Sequence, residues 1–169
     1  MTLTTTKSWK NYITLCNALK RNDIDYEKDD KHLCIKCSVS GRDIEQNFLF
    51  EINPSKMLIT LFSPVPLTFG KEKTADMSLA VCMINNSIAD GSFCIDIKDR
   101  LLYFKMTASF YESTVNDTVF EYMLSTAANT VDEYYPKLHR LAKSGEPYSD
   151  SDSSRELSDY LKDLTAEYS

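Results

Sequence analysis

Three runs with a two-residue apolar period decide the fold of this chain: LCIKCSV at residues 33–39, NFLFEI at 47–52 and MLITLF at 57–62. Such a period is typical of β-strands that bury one face and leave the other open. Turn residues separate the runs, SGRD at 40–43 and NPSK at 53–56. Consecutive strands are therefore expected to pair as antiparallel hairpins.

Amphipathic helices are predicted on both sides of these strands, because apolar residues recur there at spacings of three and four. The first helix covers residues 8–21 and is followed by an acidic connector, residues 22–30, which leads into the sheet. The second helix covers residues 74–89. Asp90-Gly91 ends it, since glycine adopts the left-handed backbone conformation at low cost.

A second hairpin and a long helix complete the predicted domain. Phe93, Ile95 and Ile97 alternate in one strand, and residues 101–107 form its partner. The third helix is expected to begin near Ser113 or Thr114, possible N-caps. Pro136 should kink this helix or start a further helical turn. The predicted class is α+β, in the order α-β-β-β-α-β-β-α, with helices packed on an antiparallel sheet.

The last residues differ in composition from the predicted domain at 1–143. Residues 144–153 are polar and acidic, which is typical of a flexible linker. Residues 154–169 predict a short amphipathic helix, which is marginal in water unless it docks on another surface. The expected docking side chains are Leu157, Tyr160, Leu161 and Leu164.

Composition and charge exclude several classes of protein. The formal net charge is −6, with 25 acidic and 19 scattered basic residues, so nucleic-acid binding is disfavoured. No apolar run is long enough to cross a membrane, and the N-terminus lacks the pattern of a signal peptide. We therefore expect a cytoplasmic protein whose five cysteines are reduced thiols.

No catalytic, cofactor or metal site is predicted. The four glycines lie more than twenty residues apart, which excludes a phosphate-binding loop. His32 and His139 are the two histidines, and both are expected at the surface. Cys34 and Cys37 have the spacing of a redox or zinc pair, but residues three apart in a strand face opposite sides. The acidic connector begins like a calcium loop and lacks the required glycine and glutamate.

One sheet face is predicted to be more apolar than a solvent face should be. The polar residues expected on it are Lys36, Glu51, Thr60, Asp96 and Lys105. The apolar residues expected beside them are Leu49, Leu58, Phe62, Leu101 and Tyr103. Such a face predicts a second cover: another copy of the chain, a segment of a partner, or the C-terminal helix. An error of one residue in a strand would instead place these side chains in the core.

A family resemblance rests on the second half of the domain. LAVCMINN at residues 79–86, DGSF at 90–93, the following hairpin and the helix end at Tyr134-Tyr135-Pro136 resemble the YbjN family of bacterial proteins. The element order agrees over roughly residues 8–140. The resemblance implies the fold of type III secretion chaperones and a role as a sensory transduction regulator, and it brings no catalytic residues.

Two functional hypotheses follow from the sequence. The first is a non-enzymatic protein-binding module, chaperone-like or regulatory, that presents an apolar sheet face to a second copy in a homodimer or to a partner protein or peptide. The alternative is a small-molecule-binding or enzymatic domain, with a pocket between helix and sheet and with Tyr, His and Cys side chains as polar groups.

Overall fold

The computed structural model describes residues 3–111 and 113–144 of the chain. Within these residues the helices are α1 (Leu3–Arg21), α2 (Thr74–Ser87) and α3 (Asp117–Ser144), and a short 3-10 turn, Lys71–Lys73, precedes α2. The strands are β1 (Tyr26–Asp29), β2 (Cys34–Ser40), β3 (Glu45–Asn53), β4 (Leu58–Pro64), β5 (Ser92–Asp96) and β6 (Leu101–Ser109).

The strands form one antiparallel sheet in the order β1-β2-β3-β4-β6-β5. The first four follow each other as hairpins, and the second hairpin joins them through pairing of β6 with β4. The predicted α+β class, an antiparallel sheet with helices packed on it, is confirmed.

The sheet has one strand more than the sequence predicted. Part of the acidic connector forms β1, in which Tyr26 lies opposite Cys37 and Asp29 lies opposite Cys34. The strand has only four residues, three of them charged and exposed, so it lacks the apolar period of a strand. Its charges suit an edge strand, which has solvent on its outer side.

One face of the sheet and the three helices enclose the core. Burial alternates along the strands, so that Phe48, Phe50 and Ile52 of β3 are all at most 2% exposed. Phe50 meets Phe120 of α3 edge-on, with ring centroids 6.2 Å apart. Phe93 of β5 meets Tyr134 of α3 in the same way at 6.0 Å. Leu15 of α1 and Ile84 of α2 are buried in the same core, so all three helices cover this side of the sheet.

Three hairpin turns share one local geometry. Each begins with an Asp or Asn at a strand end, Asp29, Asn53 or Asp96, whose side-chain oxygen accepts backbone N–H groups two or three residues later. Each then has a residue with φ of 53° four positions after that Asp or Asn. These residues are Leu33, Met57 and Arg100.

The helix ends differ from the predicted ones by a few residues. Helix α1 begins earlier, at Leu3, and α2 ends at Ser87, so Gly91 (φ 78°) lies in the connection to β5 and not directly after the helix. Helix α3 begins at Asp117, because the Asn116 side chain accepts the N–H of Val119 and caps it.

Two further differences concern the second half of the chain. Helix α3 continues through Pro136 to Ser144 as one element. Strand β5 ends at Asp96, so Ile97 lies in the turn and is 65% exposed. Apart from Ser144, the predicted linker at 144–153 and the predicted helix at 154–169 lie outside the described residues.

Asn85 of α2 fixes the outer edge of β5. Its side-chain amide donates to the carbonyl of Phe93 at 3.0 Å, and its oxygen accepts the N–H of Phe93 at 2.8 Å. The backbone of Phe93 therefore bonds to a helix side chain on the side away from β6. The same pair of bonds holds α2 against the sheet.

Candidate functional site

The open face is the side of the sheet that the three helices leave uncovered. The register places Leu49 directly opposite Phe62, and Tyr103 opposite both Pro64 and Cys94. The rings of Phe62 and Tyr103 lie 6.1 Å apart between centroids, at an interplanar angle of 57°. Tilted aromatic pairs at this separation attract each other beyond the effect of burial alone. The register thus brings these side chains into one contiguous area.

The five predicted apolar residues all lie on the open face, but they do not form a single patch. Leu101 lies two residues before Tyr103 on β6 and is 58% exposed. Leu58 lies at the far end of β4, roughly 13 Å from Phe62 at the usual rise of a strand. The apolar cluster consists of Leu49, Phe62, Pro64, Leu101 and Tyr103. Pro64 was not predicted, because the sequence indicated a strand that ended before it.

An acidic wall, defined as Asp23, Asp25 and Glu27, lies across a groove from Leu49, with Lys36 of β2 between them. The wall and the neighbouring strands enclose this groove of about 970 Å³, whose lining includes Leu49 and Pro64. Sequence reasoning missed this wall because residues 22–30 were interpreted as a connector. The one available signal was the density of acidic residues immediately before the first predicted strand.

The hydroxyl of Tyr103 stays protonated over the physiological pH range. Burial is the main cause that raises the pKa of this phenol, and the neighbouring Cys94 thiol raises it further. A neutral phenol can donate a hydrogen bond and accept one. The apolar cluster therefore carries a polar group that a bound polypeptide backbone could use.

The predicted docking residues of the C-terminal helix lie outside the described part of the chain. They are Leu157, Tyr160, Leu161 and Leu164, and they lie beyond Ser144, the last residue that the structure describes. Their docking stays a prediction.

An apolar cavity of about 440 Å³ lies between α1 and α3. Leu15, Leu19, Phe120 and Leu124 line it, and Val39 of β2 contributes from the sheet. Its one carboxylate, on Glu121, accepts a hydrogen bond from the Asn22 side chain at 3.0 Å. No His or Cys lines this cavity. Of the Tyr, His and Cys side chains named for the small-molecule alternative, the described residues contribute Tyr122 to this cavity.

The histidines and the CxxC pair do not assemble into a catalytic group in the described part of the chain. His32 lies in the β1–β2 turn with its Nδ1 2.7 Å from Asp29, whereas His139 lies on α3 beside the Tyr135 ring. Cys34 is half-buried on the open face, and Cys37 is buried on the core face. Among the described residues, no group of three or more His, Cys, Asp or Glu side chains could hold a metal ion.

The buried thiol of Cys37 and the exposed thiol of Cys82 are expected to differ in reactivity. Burial raises the pKa of Cys37 from 9.0 to about 11, whereas Cys82 is exposed on α2. At about pH 8, iodoacetamide should alkylate Cys82 well before Cys37, as measured by mass spectrometry of the folded protein. Comparable rates would contradict the placement of Cys37 in the core.

The same pKa shift predicts an alkaline loss of stability. A thiol with a raised pKa in the folded state stabilises the fold fully below its unfolded pKa, here 9.0, and that contribution is lost as the pH rises to about 11. Urea unfolding across this pH range should show a smaller fall for Cys37→Ala than for the unmodified chain. An equal fall in both would assign the loss to other groups.

Comparison with solved structures identifies the type of fold. A chain in the structure of the HopA1–SchA chaperone–effector complex matches with a TM-score of 0.56 and 10% identity, covering 80% of this chain and 99% of that chain. The crystal structure of YbjN from E. coli matches with a TM-score of 0.49 and 14% identity, covering 74% and 91%. The architecture is thus an α+β fold of the kind found in a chaperone–effector complex.

A family model gives the more specific assignment. It matches residues 13–140 and is described as "Putative bacterial sensory transduction regulator". The chain therefore belongs to the YbjN family, and the resemblance seen in the sequence is confirmed. No curated protein matches the sequence. Among the described helices, none has the length and apolar character needed to span a bilayer.

Proposed function

We propose that this chain is a non-enzymatic protein-binding module, chaperone-like or regulatory, that holds a partner polypeptide on the open face of its sheet. The apolar cluster carries the proposal, because no element among residues 3–111 and 113–144 covers it. A contiguous apolar area that is left uncovered marks an interaction site. Membership of a regulator family and a fold shared with a chain of a chaperone–effector complex support a polypeptide as the partner.

The cytoplasm is the compartment that we propose for this binding. Cys82 is a free thiol exposed on α2, and Cys34 and Cys94 are free and half-buried. Thiols that are accessible and unpaired fit a reducing compartment, where they persist without oxidation.

Removing one ring of the apolar cluster should weaken partner binding. The partner is unidentified, so the probe is an array of immobilised 15-residue peptides, each with two or more aliphatic or aromatic residues. The full chain should bind a subset of these peptides. Phe62→Ser should lower the affinity for that subset roughly 10- to 100-fold, because burying one large apolar side chain contributes about 1.5–3 kcal/mol.

The matched control is Tyr111→Ser, which removes an aromatic ring that is 66% exposed after β6. This variant should bind the array as the unmodified chain does, and circular dichroism should show that both variants are folded. An array without binders, or equal binding by Phe62→Ser, would exclude the open face as the binding surface.

We also propose a homodimer, formed through the outer surface of α2. Residues 77–89 contain no charged side chain, and Leu79 is 63% exposed. A two-fold interface places a surface against itself, which brings like charges together wherever the surface is charged. Asp76, one turn before Leu79, is the acidic residue of α2 and pairs with Lys73 at 3.7 Å, so the outer surface of α2 has little net charge and is suited to that contact in a chain with a net charge of −6. The open face would stay free, because α2 packs on the other side of the sheet.

Light scattering of the purified chain tests this homodimer. The unmodified chain should have twice the mass of one chain, and Leu79→Arg should be monomeric at the same concentration, because it opposes two like charges across the axis. Ile97→Arg, at a site with a similar exposure of 65%, is the matched control and should remain dimeric. A monomeric unmodified chain would contradict the homodimer.

A further inference from the structure

The open face carries more negative than positive side chains. Its strands present the acidic residues Glu27, Asp29, Glu45, Glu51 and Asp96 on the same side as the apolar cluster. The basic residues on that side are Lys36 and Lys105. Asp23 and Asp25 of the acidic wall add two carboxylates at the border. Lys36 lies directly opposite Leu49 and Lys105 lies directly opposite Phe62, so both signs of charge border the apolar cluster, whereas the open face as a whole has an acidic excess.

Most of these carboxylates form no ion pair among the described residues, although Glu27 lies directly opposite Lys36. The ion pairs in the described part of the chain include Arg21–Asp117, Lys28–Asp30, His32–Asp29 and Lys73–Asp76. Of the acidic groups on the open face, only Asp29 takes part. Glu51 lies on β3 two residues from Leu49, and Asp96 lies directly opposite Leu101 on β6. Both carboxylates thus flank the apolar cluster without a partner cation.

The charge of the open face favours one of the three possible covers that the sequence suggested: a second copy, the C-terminal segment or a partner polypeptide. A second copy would bring the same acidic surface against the open face, and like charges at an interface disfavour such a contact. Residues 145–169 contain seven acidic residues against Arg155 and Lys162, so this segment has the same sign as the face. The acidic residues of the segment are Glu146, Asp150, Asp152, Glu156, Asp159, Asp163 and Glu167.

Resting on the function proposed above, we infer that the open face takes a basic polypeptide segment, in which aliphatic or aromatic side chains are flanked by Lys or Arg. The apolar side chains of such a segment cover Leu49, Phe62 and Tyr103. Its cations lie beside Glu51, Asp96 and the acidic wall. Charge complementarity of this kind selects the partner, while the apolar contact supplies most of the affinity.

Three labelled peptides that differ only in charge test the inference by fluorescence anisotropy with the full chain. Each has nine residues, in which Leu and Phe alternate with Lys in the first, with Ser in the second and with Glu in the third. The Lys peptide should bind at least tenfold more tightly than the Ser peptide, and the Glu peptide most weakly. The advantage of the Lys peptide should shrink as NaCl rises from about 0.05 M to about 0.5 M, because salt screens the charges.

An isosteric variant separates charge from shape. Glu51→Gln should weaken binding of the Lys peptide about threefold, as expected for one partly exposed ion pair, and should leave the Ser peptide unchanged. Glu133→Gln removes an exposed carboxylate on α3 and is the matched control, for which no change is expected.

Equal or tighter binding of the Ser or Glu peptide, with loss in Phe62→Ser, would overturn this inference while the proposed function stands. Failure of all three peptides and of the peptide array would overturn the proposed function itself. A full-length variant with Leu161→Ser and Leu164→Ser tests the C-terminal segment as the cover. If it strengthens binding of all three peptides equally, that segment occupies the face and the inference is wrong.

Discussion

Phe50→Ala should lower the free energy of unfolding by about 3–5 kcal/mol, the usual cost of removing a fully buried aromatic ring. Phe50 is 0% exposed, lies between Ile35 and Leu61 on the neighbouring strands, and meets Phe120 of α3 edge-on. The ring is in contact with both strand neighbours and a helix, so the cavity that it leaves cannot close without moving α3. Urea denaturation followed by circular dichroism measures the loss.

Phe62→Ala is the matched control, because it removes the same ring from the opposite face of the sheet. Phe62 is half-buried and contacts the ring of Tyr103, so we expect a loss of about 1 kcal/mol, as for an aromatic pair at a partly open site. Equal losses for the two variants would show that the open face is covered in the purified protein. That result would contradict a face that is free for a partner.

Gly91→Ala should destabilise the chain by about 2–4 kcal/mol, for two independent reasons. The residue has a φ of 78°, in the left-handed region that side chains with a Cβ disfavour. A Cβ here would also meet the ring of Phe104 and lie 2.8 Å from Cγ of Met106, both in the core. The melting temperature and the urea midpoint should both fall.

Gly70→Ala provides the control for the change of glycine to alanine itself. Gly70 has a φ of −72°, and the atoms nearest to its added Cβ belong to the carboxyl end of the Glu72 side chain, which can move aside. We expect a change within about 1 kcal/mol, in either direction. Because alanine reduces the freedom of the unfolded backbone and so favours folding, a loss as large as that of Gly91→Ala would mean that strain beside Phe104 does not account for the effect.

The elements that could be predicted from the sequence are those with a strong period. Strands β2, β3 and β4 alternate clearly, and α1 and α3 place apolar side chains at helical spacing, so their existence required no tertiary information. Strand β1 has no such period, because three of its four residues are charged. It forms by pairing with the backbone of β2, which the sequence of β1 alone does not reveal. The start of α3 at Asp117 was missed, although Asn116 is a good capping residue.

The candidate site could be predicted in its composition but not in its extent. Alternation alone assigned Leu49, Phe62 and Tyr103 to one face, since a period of two fixes the side of each residue. It could not show that Phe62 and Pro64 lie beside Tyr103, because that depends on the pairing of β4 with β6. The position of the acidic wall depends on the position of β1. Because β1 could not be predicted from the sequence, the wall could not be predicted either.

The double hydrogen bond from Asn85 limits how these molecules can associate. Sheets with free edges can grow by addition of strands from other molecules, which leads to ribbons and aggregates. At the β5 edge, an incoming strand finds both backbone groups of Phe93 already bonded. At the other edge it meets the charged side chains of Glu27, Lys28 and Asp29. Both edges of the sheet are therefore protected against the addition of strands from other molecules, although one face of the sheet remains apolar and open.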